Sequence, residues 1–251
     1  NNSMYGMYSG QAITTGGANT GVGYMSLYGL TTGSDNIAIG KQALQGSTTQ
    51  SNNVAIGNDC LKANTGSSNV GVGHIVLQSN TSGNQLTAIG KQALKANTTG
   101  SDNTAVGCDA LDANTTASNN TAVGRSALGA CTTGTANTAV GAHALKTSHS
   151  QSECTAVGYK ALTTSTGNNN TALGCEAGEQ NTTGYSNTYM GFRAGEECTT
   201  AYQTTAVGAY ALDDCSTGIK NTALGWDAGG DVTTGNHSVY VGTQSGNGHT
   251  T

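Results

Sequence analysis

Apolar and polar positions along this chain recur with a fixed short period. Each copy centres on a run such as Asn137-Thr138-Ala139-Val140-Gly141. Fifteen glycines, from Gly6 to Gly242, close these runs. Successive glycines lie 17 residues apart, except Gly57 to Gly73 and Gly158 to Gly174, which lie 16 apart. The residue before each glycine is apolar, as in Val22, Ile39, Ile56 and Val106. Two before it stands usually Ala or Gly, and four before it usually Asn. Three after it stands mostly Ala and four after it Leu, as in Ala43-Leu44 and Ala93-Leu94, or else Gly, as at Gly178, Gly195 and Gly229. A Thr-Thr-Gly stretch follows, as at Thr98-Thr99-Gly100.

Side chains alternate faces along a strand. A strand over each Asn-Thr-Ala-Val-Gly run sets Asn, Ala and Gly on one face and Thr and Val on the other. Both 16-residue copies lose a residue from the Thr-Thr-Gly stretch, keeping Asn64-Thr65-Gly66 and Ser165-Thr166-Gly167. Deletions fall where backbone crosses a surface, so that stretch is read as the bend.

A fixed short period marks a repeat architecture. Collagen would need Gly at every third residue, and a helical array would not interrupt each copy with Gly and Thr. The predicted fold is all-β: a parallel β-solenoid, or β-roll, of about 15 rungs of 16–17 residues, with 1–251 as a single domain. At a strand spacing of about 4.8 Å, fifteen rungs make a rod on the order of 70 Å long. Asn36, Asn53, Asn103, Asn120 and Asn137 are expected to stack as a ladder of amides. Gly40, Gly57, Gly107, Gly124 and Gly141 are expected where φ is positive or a Cβ has no room. The chain begins and ends inside the repeat, which is read as a piece of a longer product.

One thin rung encloses only one of its two small or apolar rows. The other row is expected to be covered by identical chains, most simply in a parallel homotrimer, because an uncovered apolar stripe marks an interaction surface.

The pattern N-T-A-V-G-x-x-A-L-x-x-x-T-T-G resembles the head repeats of trimeric autotransporter adhesins. Their N-S-V-A-I-G core is similar to Asn36-Ile37-Ala38-Ile39-Gly40. It resembles more closely the 17-residue repeats of bacterial and phage tail-fibre proteins that end in an endosialidase-type chaperone. The adhesin resemblance implies a left-handed, trimeric β-roll outside the cell. The period here is longer than the adhesin one, and no stalk, anchor or chaperone domain is present in the 251 residues.

Composition adds exclusions. The chain has no Pro, one Trp, one Phe, 38 Gly and 9% charged residues, with a net charge of −5. Low aromatic content alone would read as disorder, but disordered chains need no typed positions. No basic stripe supports nucleic-acid binding, and no apolar run approaches the roughly 18 residues of a membrane-spanning helix.

Seven cysteines are present. Cys60 takes an Ala position and Cys154 an Asn position. Cys198 and Cys215 occupy one position in consecutive copies, within disulfide reach if the rungs stack. No C-x-x-C occurs, and His74, His143, His149, His237 and His249 are scattered, so no metal site is expected. Sequons at Asn80, Asn97, Asn114 and Asn181 share one position at the mouth of the Thr turn, which reads as a candidate glycosylated edge. Three copies carry a bulky residue where others have Ala or Gly: Met4, Tyr189 and Tyr240. The first and last are expected to cap or dock open ends.

No nucleophile elbow or phosphate loop is found. No catalytic, cofactor or metal residues are assigned. The functional expectation is a structural fibre or adhesin-type repeat, extracellular, on a cell surface or on a virion, whose partners are identical chains and a surface or glycan receptor. The alternatives are a head-to-tail filament subunit, an ice-binding solenoid using the Thr pairs, and carbohydrate binding at Tyr159, Tyr185, Tyr202 and Tyr210.

Overall fold

The computed structural model describes residues 1–248. Among them it forms fifteen three-residue strands and no helix. The chain divides into two compact units of the same repeat, Asn1–Arg125 and Ser126–Thr251. The first holds β1 (Ser3–Tyr5), β2 (Thr20–Val22), β3 (Ile37–Ile39), β4 (Val54–Ile56), β5 (Val70–Val72), β6 (Thr87–Ile89), β7 (Thr104–Val106) and β8 (Thr121–Val123). The second holds β9 (Thr138–Val140), β10 (Thr155–Val157), β11 (Thr171–Leu173), β12 (Thr188–Met190), β13 (Thr205–Val207), β14 (Thr222–Leu224) and β15 (Val239–Val241).

Within each unit every strand pairs with the next in chain order, parallel and in register: Val106 lies beside Val123, and Ala156 beside Ala172. This is the expected parallel β-solenoid, with one glycine-to-glycine interval per turn. Backbone hydrogen bonds between rungs continue around the turn, well past the strand. The Thr20 N–H donates to Asn36 O at 2.8 Å, Gly40 to Val22 O at 2.8 Å and Leu94 to Ala110 O at 3.0 Å.

A strand-ending glycine with a rung beyond it, such as Gly107, meets both constraints expected of it, whereas Gly242 in the last strand has only the positive φ, +114°. Gly107 has φ +141°, and a Cβ built there would lie 2.5 Å from Gly124 O. No other residue fits such a position. The left-handed region is also used by side-chain-bearing residues in every rung. Leu44, Leu94 and Leu145 all have φ near +50°. An L-residue there costs roughly 1–2 kcal/mol, which full burial of a Leu side chain, worth about 1.5–3 kcal/mol, offsets.

The interior is thin and made of files. The strand Ala (Ala38, Ala88, Ala105), the following Ala (Ala43, Ala93, Ala110) and the Leu (Leu44, Leu94, Leu111) are all fully buried. The outward strand residues on either side of the buried Ala remain partly exposed, as expected from the alternation.

Tyr189, the bulky residue that belongs to neither end, has a different place. It is fully buried inside the second unit, in a file of alanines. Room comes from two glycines that replace Leu, in its own rung and in the preceding one. A Cβ on Gly195 would lie 2.3 Å from the Tyr189 ring, and one on Gly178 2.6 Å from it. Tyr240 repeats the device with Gly246 and Gly229, at 2.2 Å and 3.0 Å. The exchange is one of volume: a large ring enters where two branched side chains leave.

That exchange is testable by urea unfolding. Gly195→Leu takes on the left-handed backbone cost that other rungs already bear for Leu and also collides with the ring, a collision that should itself cost about 1–3 kcal/mol. Tyr189→Ala alone should cost about 3–5 kcal/mol through the void it leaves. Gly178→Leu/Tyr189→Ala/Gly195→Leu together should recover most of both losses. Losses that simply add in the triple variant contradict the exchange.

Candidate interaction surface

The inward polar residues form two separate ladders. In the strand file, each Asn uses its side chain to tie three segments together. Asn36 Oδ1 accepts from the Asn53 N–H one rung on at 3.1 Å, and Asn36 Nδ2 donates to Gln50 O at 2.9 Å in the next turn. Asn103 does the same with the Asn120 N–H at 2.9 Å and Ala117 O at 2.7 Å. Asn137 Oδ1 accepts from the Cys154 N–H at 3.0 Å, and its Nδ2 donates to Gln151 O at 2.9 Å. The file is therefore mainly amide to backbone, where a simple amide-to-amide stack was expected. Direct amide pairs occur at Asn36 with Asn19 and Asn53 with Asn36.

The amide-to-amide stack lies in the other file, at the sequon positions. Asn80 Nδ2 donates to Asn64 Oδ1 at 2.6 Å, Asn97 Nδ2 to Asn80 Oδ1 at 2.9 Å, and Asn114 Nδ2 to Asn97 Oδ1 at 2.7 Å. Asn181 donates to the Tyr189 hydroxyl at 3.2 Å. Asn80, Asn97, Asn114 and Asn181 are fully buried. The glycan expectation is corrected here: in the folded chain these amides point inward, where a sugar has no room. The sequence signal, four Asn in one file, was present; the face was misassigned.

Cys198 and Cys215 continue this second file in the second unit and are free, buried thiols. The expected disulfide is not formed. The Cys198 thiol donates to Leu212 O at 3.4 Å and the Cys215 thiol to Gly218 O at 3.8 Å, so each satisfies an inward carbonyl. Burial holds Cys198 well above the usual thiol range and pushes Cys60 up to about 12 and Cys131 up to about 11. Cys60, Cys131 and Cys198 are therefore poor nucleophiles and poor metal ligands, whereas the neighbouring Cys198 thiol draws Cys215 below the usual thiol range.

The turn Thr residues face outward, as the bend requires. Thr81 Oγ1 donates to Thr98 O at 2.8 Å, and Thr182 Oγ1 to Thr199 O at 2.9 Å. The first Thr of each pair thus spends its hydroxyl on the next rung, while the second, as at Thr99 and Thr183, is exposed.

Charged side chains cluster beside the strands of the second unit. Glu176, Glu179 and Glu196 approach one another closely enough to hold a cation. Arg193 Nε lies 2.8 Å from Glu176 and 3.3 Å from Glu196, and Lys160 Nζ lies 2.9 Å from Glu179. Two of the protein's own cations, Arg193 and Lys160, already pair with these three carboxylates and offset most of their charge. His249 falls outside the described residues; the other four histidines occupy different files.

The outer strand face carries an aliphatic file. In the first unit Val22, Ile39, Ile56 and Ile89 are 37–40% exposed, and in the second Leu173, Met190 and Leu224 are 40–50% exposed. Flanked above and below by their own kind, these side chains leave only their outward tips free. A parallel Thr file, including Thr104, Thr121, Thr155 and Thr188, runs alongside. In each unit the two files cover on the order of 300 Å², the scale of a functional patch. Tyr185 and Tyr202, named above for carbohydrate, stack face to face with centroids 4.9 Å apart, and Tyr210 meets Phe192 edge-on at 5.3 Å. Tyr159 is 47% exposed.

Two outcomes follow. Asn97→Ala removes a member from the middle of the buried amide stack and should cost about 1–3 kcal/mol by urea unfolding. Thr99→Ala, two residues away but exposed, should stay within about 0.5 kcal/mol; equal effects would place Asn97 outside the core. The second outcome concerns pH. Burial, with Asp214 nearby, pushes the Asp213 carboxyl from 3.8 up to about 7. The folded chain then holds a proton that the unfolded chain releases, so stability falls as pH rises from about 4 to about 7. Burial raises Asp112 and Glu196 as well, with the same sign. The melting temperature should therefore be higher at pH 5 than at pH 8, and Asp213→Asn should narrow the difference. An unchanged difference in that variant excludes Asp213 as its source. No family model matches the chain and no curated protein matches it, which leaves its function to be read from these files of side chains.

Proposed function

We propose that this chain is a structural repeat of a fibre or adhesin-type protein whose identical copies associate in parallel through the outer strand face. One observation carries the reading: the aliphatic file repeats in register, rung after rung, on a face the chain itself leaves partly uncovered. Parallel copies at equal height bring like residues together, and each added rung contributes another apolar contact of the same kind. Three copies around an axis suit a face only three residues wide, since each then offers a narrow edge to the centre. The resemblance to adhesin-head and tail-fibre repeats points the same way. The few charges and the backbone bonds spent inside the coil fit a mechanical role better than a chemical one. The proposed place of such a fibre is outside the cell, on its surface or on a virion.

Sedimentation or light scattering of the 25.0 kDa chain should give a mass about three times that of one copy. Ile56→Asp, which sets a charge in the middle of the file, should yield monomers that keep the β-sheet circular dichroism of the parent. A compact wild-type monomer at micromolar concentration would overturn the proposal.

A further inference from the structure

The first two rungs differ from the rest of the first unit at three outward positions: one, two and five residues after the glycine. There they read Met7, Tyr8, Gln11 and Tyr24, Met25, Tyr28. In the third rung the same positions are Lys41, Gln42 and Gln45, and in the fourth Asn58, Asp59 and Lys62. Within the first unit Tyr at these positions is confined to this corner and gives it a shape; in the second unit Tyr159, Phe192, Tyr210 and Trp226 occupy the first two of the same positions. Tyr8, Gln11, Tyr24, Met25 and Tyr28 line an open groove of about 410 Å³. The Tyr8 and Tyr24 rings meet edge to face, with centroids 6.1 Å apart and planes at 70°. One ring thus forms a floor and the other a wall.

The groove is preformed. Tyr8 and Met25 sit at φ +61° and +57°, the left-handed position that every rung uses two residues after its glycine. The Met25 N–H donates to Met7 O at 3.0 Å, the Gln42 N–H to Tyr24 O at 2.9 Å and the Ala12 N–H to Tyr28 O at 3.3 Å. Little backbone freedom remains to be lost on binding. All three tyrosines are exposed, at 48%, 42% and 37%, so their ring faces are available to a ligand.

We propose that this groove is a binding site for a neutral saccharide of one to three pyranose rings. The reasoning is chemical. Phenol rings offer flat apolar faces together with hydroxyls that both donate and accept, and the Gln11 amide adds two donors and an acceptor. A pyranose presents the same pairing: a face of C–H groups and a rim of hydroxyls. No carboxylate, amine or guanidinium lines the groove, so nothing in it selects a phosphate, a sulfated sugar or a cation. Its volume lies at the lower end of the range for small-ligand sites. A contact between copies of the repeat would continue up the files; this patch stops at Lys41 and Gln42. The site does not depend on the association proposed above, because all its lining residues belong to one copy.

The test is titration of the whole chain with cellotriose, maltotriose, tri-N-acetylchitotriose and β-1,4-galactotriose, read by saturation-transfer NMR and calorimetry, with sialyllactose as an anionic control. At least one neutral trisaccharide should bind saturably, with ring-face protons receiving the saturation. Tyr24→Ala and Tyr8→Ala should each weaken it about tenfold or more, equivalent to losing a principal contact. Tyr24→Phe should weaken it less, and Lys41→Ala should leave it unchanged. Circular dichroism identical to the parent's guards against unfolding of the variants. Ile56→Asp should bind the sugar as the parent does, whatever its mass, which separates this proposal from the fibre reading. Failure of all four neutral trisaccharides to bind overturns it. So does tighter binding of sialyllactose that depends on Lys41, or an affinity that neither Tyr8→Ala nor Tyr24→Ala alters.

Discussion

The structure depends on the close approach of backbone between successive rungs. Where a strand ends and another rung follows, a glycine lies so near the next rung's carbonyl that a methyl group would fall 2.0–2.8 Å from its oxygen, as at Gly57, Gly107 and Gly225. That contact fixes the height of one turn over another. Once the height is fixed, amide and carbonyl groups meet around the whole turn, and most inter-rung backbone bonds join residues 15 to 18 positions apart. The usual source of rigidity, a thick apolar core, is absent. Backbone bonds, two side-chain ladders and three files of small or branched residues take its place.

A core of files has a particular tolerance. A single side chain changes at little cost only if its neighbours in adjacent rungs change with it, because each file is a column of contacts. Tyr189 with Gly178 and Gly195 shows the rule for volume. Gly71 shows a smaller case: it stands where other rungs have Ala, against Cys60 and Val76, which are larger than the alanines usual in their file. Hydrogen bonding obeys the same rule. Cys154 in the strand Asn file still receives Asn137 Oδ1 at its N–H, but its thiol replaces the outgoing amide with a weak bond of 3.3 Å to Gly167 O.

Much of this was legible in the sequence. Rung length, strand position, parallel register, the shared face of Asn36 and Ala38 and the need for Gly40 all follow from typed positions at a fixed period, because a stacked coil repeats its environment with its sequence. What was not legible has a common physical cause. Outside the three-residue strand the backbone follows no two-residue alternation, so the direction of a side chain cannot be counted off. Asn80 and Asn97 were placed on the outer edge for that reason, although the turn, with residues at positive φ such as Leu77 and Leu94, carries them inside. The Tyr8–Tyr24 corner escaped for the same reason: its residues belong to different positions of the repeat and meet only once the turn is closed. Tyr189 and its two glycines were each visible as exceptions, but their complementarity needed the distances between files.

The central claim is that one glycine-to-glycine interval closes one turn, so that equivalent residues lie directly above one another. A crystal structure of the chain measures this without intermediaries. The account predicts Cα atoms of Val106 and Val123 about 4.8 Å apart, in parallel strands, with Ala105 beside Ala122. Strands paired out of register, pairing that runs antiparallel, or helix over residues 104–123 would contradict it.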